Sequence, residues 1–250
     1  GTVQTGSVLG EAGADSLYVG ASVSRAYIGG GEGNDTLYVV GSIGEATSLI
    51  GSAGNDFIRG DALASKGYVD AGADNDTLRF MGGLTSTTLV GGAGNDLFSI
   101  SGGISSDLLL AGDGNDTLSL SGVITDSTVD VGGGADSVVL LGDNARNFTL
   151  TGGLTSTSLL GDAGSDTVLI AAAMTSGFIS QAAGVDSLYF ASVVSGTTIV
   201  SGGGEDTISL SGAADNLILS AFSASRLFAG SGADTLSFIG TATAGTVDAG

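Results

Sequence analysis

Gly91-Gly92-Ala93-Gly94-Asn95-Asp96-Leu97-Phe98-Ser99 decides the reading of this chain. Its first six residues make a glycine-rich turn ending in a carboxylate, and its last three begin a strand carrying one large apolar side chain, Phe98. Variants of these nine residues recur along the sequence, with the aspartate at 15, 35, 56, 76, 96, 116 and 136, then at 166, 186, 206 and 234. Most intervals are 20 or 21 residues. A period of this length marks a solenoid, whose coils cannot bury their apolar faces without neighbours.

Columns set by the aspartates predict the strands. Two residues later stand Leu17, Leu37, Ile58, Leu78, Phe98, Leu118, Val138, Val168, Leu188, Ile208 and Leu236, all apolar. Four residues later the apolar column repeats, with Gly60 as the exception, so alternate side chains point inward from a half-buried strand. Seven residues before each aspartate lies a second unbroken column, which includes Ile28, Leu49, Leu89 and Leu109. Gly and Ser pairs such as Gly82-Gly83 and Gly102-Gly103 mark the return turn. The expected fold is all-β: a parallel β-roll or β-solenoid of two-strand coils of about 20 residues, forming one domain over residues 1–250 and a rod of about 60 Å at roughly 4.8 Å per coil.

The period breaks twice, near 142–151 and 211–220, each time by about half a coil. Arg146-Asn147-Phe148-Thr149-Leu150 reads as a turn end and strand with Arg where Asp is expected, and Asp215-Asn216-Leu217-Ile218-Leu219 restores the Asp. Two arrangements fit. Either the Asp turns switch to the opposite edge after Asp136 and return after Asp206, which is favoured slightly, or each insertion makes a local three-strand coil.

Composition narrows the chemistry. The chain has no Cys, His, Pro or Trp, so the residues that most redox, zinc and acid–base sites use are missing, and no enzyme activity is expected. A net charge of −20 argues against nucleic acid or an anionic membrane as partner. No apolar run is long enough to span a membrane. Cations are the natural partners.

A calcium ion takes six to eight oxygens at about 2.3–2.6 Å, and a glycine-rich turn presents backbone carbonyls while its aspartate adds charge. One turn offers too few ligands. Turns on successive coils lie about 5 Å apart, so an ion between them can draw on both. An unneutralised carboxylate column at that spacing costs about 1 kcal/mol per neighbouring pair in water. The candidate metal ligands are Gly13 and Asp15; Gly31, Gly33 and Asp35; Gly54 and Asp56; Asp76; Gly92, Gly94 and Asp96; Gly112, Gly114 and Asp116; Gly134 and Asp136; Gly164 and Asp166; Asp186; Gly202, Gly204 and Asp206; and Gly232 and Asp234. The Ca²⁺ turn at 181–186 is expected to be the poorest, and Asp74 replaces a motif glycine.

These turns resemble the glycine-rich nonapeptides of RTX proteins, the hemolysin-type calcium-binding repeats; Gly30 to Tyr38 and Gly91 to Ser99 fit the motif fully. The resemblance implies a parallel β-roll secreted to calcium-rich surroundings. It departs from the family's usual roll in that only one half-coil carries the motif, so one edge should bind calcium and the other should be a plain turn. An outward apolar strip (Leu9, Ile50, Val90, Leu110, Leu160, Val200, Phe228) suggests lateral packing. Two functions are expected: a calcium-stiffened segment of a bacterial surface-layer or filament protein that self-assembles at the cell surface, or a secretion and folding module of a larger toxin, adhesin or hydrolase.

Overall fold

The computed structural model describes residues 3–211, 214–215, 217–220, 226–229, 235–239 and 246–248. The strands are parallel, and no helix occurs among the described residues. The chain forms two compact units, Gly1–Asp130 and Val131–Gly250.

In the first unit the strands that follow each aspartate stack in one ladder: Ser16–Val19, Thr36–Val39, Phe57–Gly60, Thr77–Phe80, Leu97–Ile100 and Thr117–Leu120. The strands that precede each aspartate stack in another, among them Val23–Glu32, Ser48–Ala53, Tyr68–Ala73, Thr88–Ala93 and Leu108–Asp113. Register is one-to-one: Phe98 pairs with Leu78 and Leu118, and Leu89 with Val69 and Leu109. Like residues therefore stack on like, and both apolar columns are buried between the ladders. Each fully buried Leu, Ile or Phe contributes about 1.5–3 kcal/mol.

The exception in the column has a packing cause. A Cβ on Gly60 would come within 2.9 Å of the Phe80 ring, so the next coil's large side chain fills the space that a residue at 60 would need.

Several coils also have a third, two-residue strand at the plain edge, which the glycine- and serine-rich sequence had suggested was only a turn. Ala64–Ser65, Leu84–Thr85 and Ile104–Ser105 pair in parallel. Their first residues join Val23, Ile43 and Ile124 in a third buried column.

The second unit contains the edge switch. Ser137–Leu140, which follows Asp136, pairs with Ser158–Leu160, which precedes Asp166. The inserted strand Asn147–Leu154 pairs with Thr167–Ile170, which follows Asp166. The exchange reverses after Asp206: Leu217–Ser220 joins Thr198–Val200, and Leu236–Ile239 then joins Leu217–Ser220. Each insertion is thus a true half-coil of one strand.

The switch corrects the expected apolar strip. Leu160 and Val200 share a ladder in which Ser180 and Ser220 alternate with them, whereas Phe228 pairs with Ser209 in the other ladder. No continuous strip joins these three. On the outer face Tyr18 and Tyr38 meet edge-on at 5.3 Å, and Arg59 lies 4.6 Å over the Tyr38 ring while pairing with Asp61 at 2.6 Å.

Val139 and Leu160 are outward-facing register partners only if the edges switch. Because the chain has no native cysteine, Val139→Cys with Leu160→Cys should form a disulfide on mild oxidation, seen as a mobility shift reversed by reductant. Absence of the crosslink would favour the local three-strand coil.

Candidate metal centre

The column aspartates are buried: Asp35, Asp56, Asp76 and Asp96 are 2–3% exposed, and Asp166, Asp186 and Asp206 are 1–2% exposed. Their columns explain how. The N–H of Asp15 donates to Asp35 Oδ1 at 2.7 Å, Asp35 to Asp56 at 2.7 Å, Asp56 to Asp76 at 2.7 Å, Asp76 to Asp96 at 2.8 Å and Asp96 to Asp116 at 2.7 Å. In the second unit Asp166 donates to Asp186 at 2.8 Å and Asp186 to Asp206 at 3.0 Å. Each carboxylate closes a backbone gap in the coil before it.

The asparagines form a ladder of opposite sense. The N–H groups of Asn55, Asn75, Asn95 and Asn115 donate to Oδ1 of Asn34, Asn55, Asn75 and Asn95 at 2.6–2.8 Å. The Asn-Asp dipeptide therefore ties each turn to both neighbours.

One oxygen of each carboxylate remains. The Oδ2 atoms of Asp15, Asp35, Asp56, Asp76, Asp96, Asp166 and Asp186 are buried without a hydrogen-bond partner. A repeated, buried, unpartnered anionic oxygen demands a cation or a proton. Backbone oxygens converge on the same spaces: a Cβ on Gly91 would meet both Asp96 Oδ2 and the Ala111 carbonyl at 2.4 Å, and one on Gly51 would meet Asp56 Oδ2 and the Ala71 carbonyl at 2.3 Å. Carboxylate and carbonyl oxygens alone suit calcium, so the residues present fit it. Among the described residues no cluster of three or more His, Cys, Asp or Glu side chains occurs, and the donor set here is one carboxylate per turn with carbonyls.

The glycines hold the turns at this spacing. Gly94 has φ +135°, outside the left-handed region open to L-residues, and a Cβ there would lie 2.1 Å from the Asp74 carbonyl. The plain edge needs only ordinary left-handed backbone, as at Ser86 and Ser106 with φ +52° and +57°, and carries side chains there.

The expected ligands Gly13, Gly31, Gly33, Gly54, Gly92, Gly112, Gly114, Gly134 and Gly204 all adopt φ between +110° and +141°, and Gly202 adopts +83°. Gly164 packs against the Asn144 carbonyl. Gly232 and Asp234 lie outside the described residues. In the coil ending at Asp186 the oxygen count is higher than its motif suggested: Gln181 is buried with both amide atoms unpartnered, its Oε1 where a Cβ on Gly161 would sit.

The columns did not reveal Asp107, because its position holds Thr47, Thr87, Ser127 and Thr157 in other coils. It is buried at the plain edge and accepts the N–H groups of Thr87 at 2.6 Å and Ser105 at 2.7 Å. With both oxygens bonded it acts as a turn brace.

A family model describing the RTX calcium-binding nonapeptide repeat matches four copies, at residues 27–39, 45–62 and 81–118. These are RTX calcium-binding nonapeptide repeats. No curated protein and no solved structure matches the chain. RTX repeats bind Ca²⁺, and all four matched copies lie in the first unit, where the aspartate and asparagine ladders run together.

Burial pushes Asp76 and Asp166 up to about 7, and Asp56, Asp96 and Asp186 up to about 6. Backbone bonds oppose the shift, as does Arg146 at Asp166. Since these values exceed the ordinary 3.8, the folded chain binds more protons than the unfolded chain between about pH 4 and 7. In chelator, the melting temperature should therefore rise as pH falls from 8 to 5; in calcium, which competes with those protons, the gain from the metal should shrink over the same range. A chelated chain most stable at pH 8 would contradict this. Asp76→Asn keeps an acceptor for the Asp56 N–H and removes the charge, so it should raise the melting temperature in chelator and lower it in millimolar calcium.

Proposed function

We propose that this chain is a calcium-stiffened structural segment of a secreted bacterial surface-layer or filament protein, acting by self-assembly and carrying no catalytic site. The observation that supports it most is the column of buried, unpartnered Asp Oδ2 atoms, which gives a metal a mechanical task in every coil that bears one. Calcium neutralises that column and joins successive turns, so the ion's effect is stiffness. Extracellular calcium modules work at roughly 10⁻⁴–10⁻³ M, a range that supports a role outside the cell.

The absence of His and Cys supports the non-catalytic part of the reading. A groove of about 280 Å³ along the plain edge, lined by Leu84, Ile104, Val123 and neighbouring Gly, Ser and Thr residues, offers no acid or base. Self-assembly is supported in the first unit by outward Leu9, Ile50, Val90 and Leu110, which share one ladder with Gly29 and Asp70 between them. The break in the expected strip beyond that unit favours a second reading, a folding module for some larger extracellular protein.

Electron microscopy of the purified chain in millimolar calcium and after chelation separates the two. Sheets or filaments that dissolve on chelation are expected, whereas discrete particles in calcium at every concentration would overturn self-assembly and leave the module.

A further inference from the structure

Arg146 stands in the aspartate column of the second unit. Its N–H donates to Asp166 Oδ1 at 3.0 Å and its carbonyl accepts the Thr167 N–H at 2.7 Å. The same pair of bonds, each 2.8 Å, joins Asp166 to the coil of Asp186. The backbone is that of a motif aspartate; the side chain has the opposite charge.

That side chain is wholly buried, which is costly for a guanidinium unless it is fully paired. Nη1 donates to Asp162 Oδ2 at 2.7 Å and to the Asn144 carbonyl at 3.1 Å, with Asp166 Oδ1 at 3.8 Å; Nη2 donates to the Leu141 carbonyl at 3.0 Å. Two turn carbonyls and two carboxylates are the oxygens a hard cation would take. Leu141 and Asn144 precede Arg146 at the spacing by which Gly91 and Gly94 precede Asp96.

Asp162 completes the case. It precedes Asp166 at the place where Gly92 precedes Asp96, so a carboxylate replaces a motif glycine in the coil that follows the arginine. Its other oxygen accepts the Gly164 N–H at 3.0 Å, which aims the first at Arg146. The two departures from the motif are partners.

We propose that the Arg146 guanidinium is a permanent cation supplied by the protein at the turn where calcium would otherwise sit, so that the edge switch stays assembled without metal. The inference rests on the calcium-binding reading of the other turns. The switch is where such an anchor is most useful, because the inserted strand Asn147–Leu154 must find Thr167–Ile170 before the column can continue. The turn at 141–146 takes no calcium of its own.

Hydrogen exchange and calcium counting on the full chain test this. In excess chelator, amides at 147–150 should exchange at least about tenfold more slowly than those at 97–100. Arg146→Met should abolish that difference. Arg146→Asp should also abolish it, yet bind one more calcium per chain than the parent and regain protection in millimolar calcium. If Arg146→Met prevents folding even in calcium, Asp162→Asn, which keeps the guanidinium and both carbonyls, should show a partial loss. Equal exchange at 147–150 and 97–100 in the chelated parent, no additional calcium in Arg146→Asp, or unchanged protection in Asp162→Asn would each overturn the proposal. Calcium binding by the parent chain, counted in the same experiment, reports on the underlying reading separately.

Discussion

A half-satisfied buried carboxylate governs this molecule. One oxygen of each column aspartate accepts the backbone N–H of the coil before it, which fixes coil to coil; the other is carried into the interior with nothing to bond. The first interaction is structural and permanent. The second is a debt in charge that a proton offsets at mildly acidic pH and calcium offsets at neutral pH. Fold and metal dependence thus come from two oxygens of one side chain.

The two edges of a coil follow from that division. Where the carboxylate is tucked in, backbone passes so close that Gly94 and Gly114 adopt φ of +135° and +141° and leave no room for a Cβ, whereas Asp74 holds the same motif position at φ +80°. The plain edge has no ion to wrap, so Ser86 and Ser106 suffice, and a two-residue strand with its own buried column takes over the packing. At the edge switch the same oxygen cage is kept but its occupant changes: Arg146 brings the positive charge on a covalent tether, with Asp162 added to hold it. The backbone pairing at Arg146 matches that of a motif aspartate, so the exchange of charge is confined to the side chain.

Much of this was legible because a solenoid repeats its environment. Columns such as Leu89, Leu109 and Phe98, Leu118 recur at a fixed distance from an aspartate, so inward direction, strand register and both main ladders could be read from one sequence. The half-coil insertions were legible as strands, but whether the edges exchanged depended on pairing between Ser137 and Ser158, which no local pattern encodes. The same exchange misled the reading of the outward strip, since Leu160 and Phe228 share a motif position but not a ladder. Features that occur once were hidden for a different reason. Asp107, Gln181 and Asp162 each sit in columns filled elsewhere by other residue types, so periodicity gives them no weight, and only their buried partners, or lack of them, reveal a role.

The central claim is that calcium completes the second oxygen of the column aspartates. The most direct measurement is a crystal structure of the chain grown in calcium, with anomalous scattering used to place the ions. The account predicts ions bonded to Oδ2 of Asp35, Asp56, Asp76 and Asp96 at about 2.3–2.6 Å, together with turn carbonyls of adjacent coils. Ions found only on exposed acidic side chains, with those Oδ2 atoms still unpartnered, would contradict it.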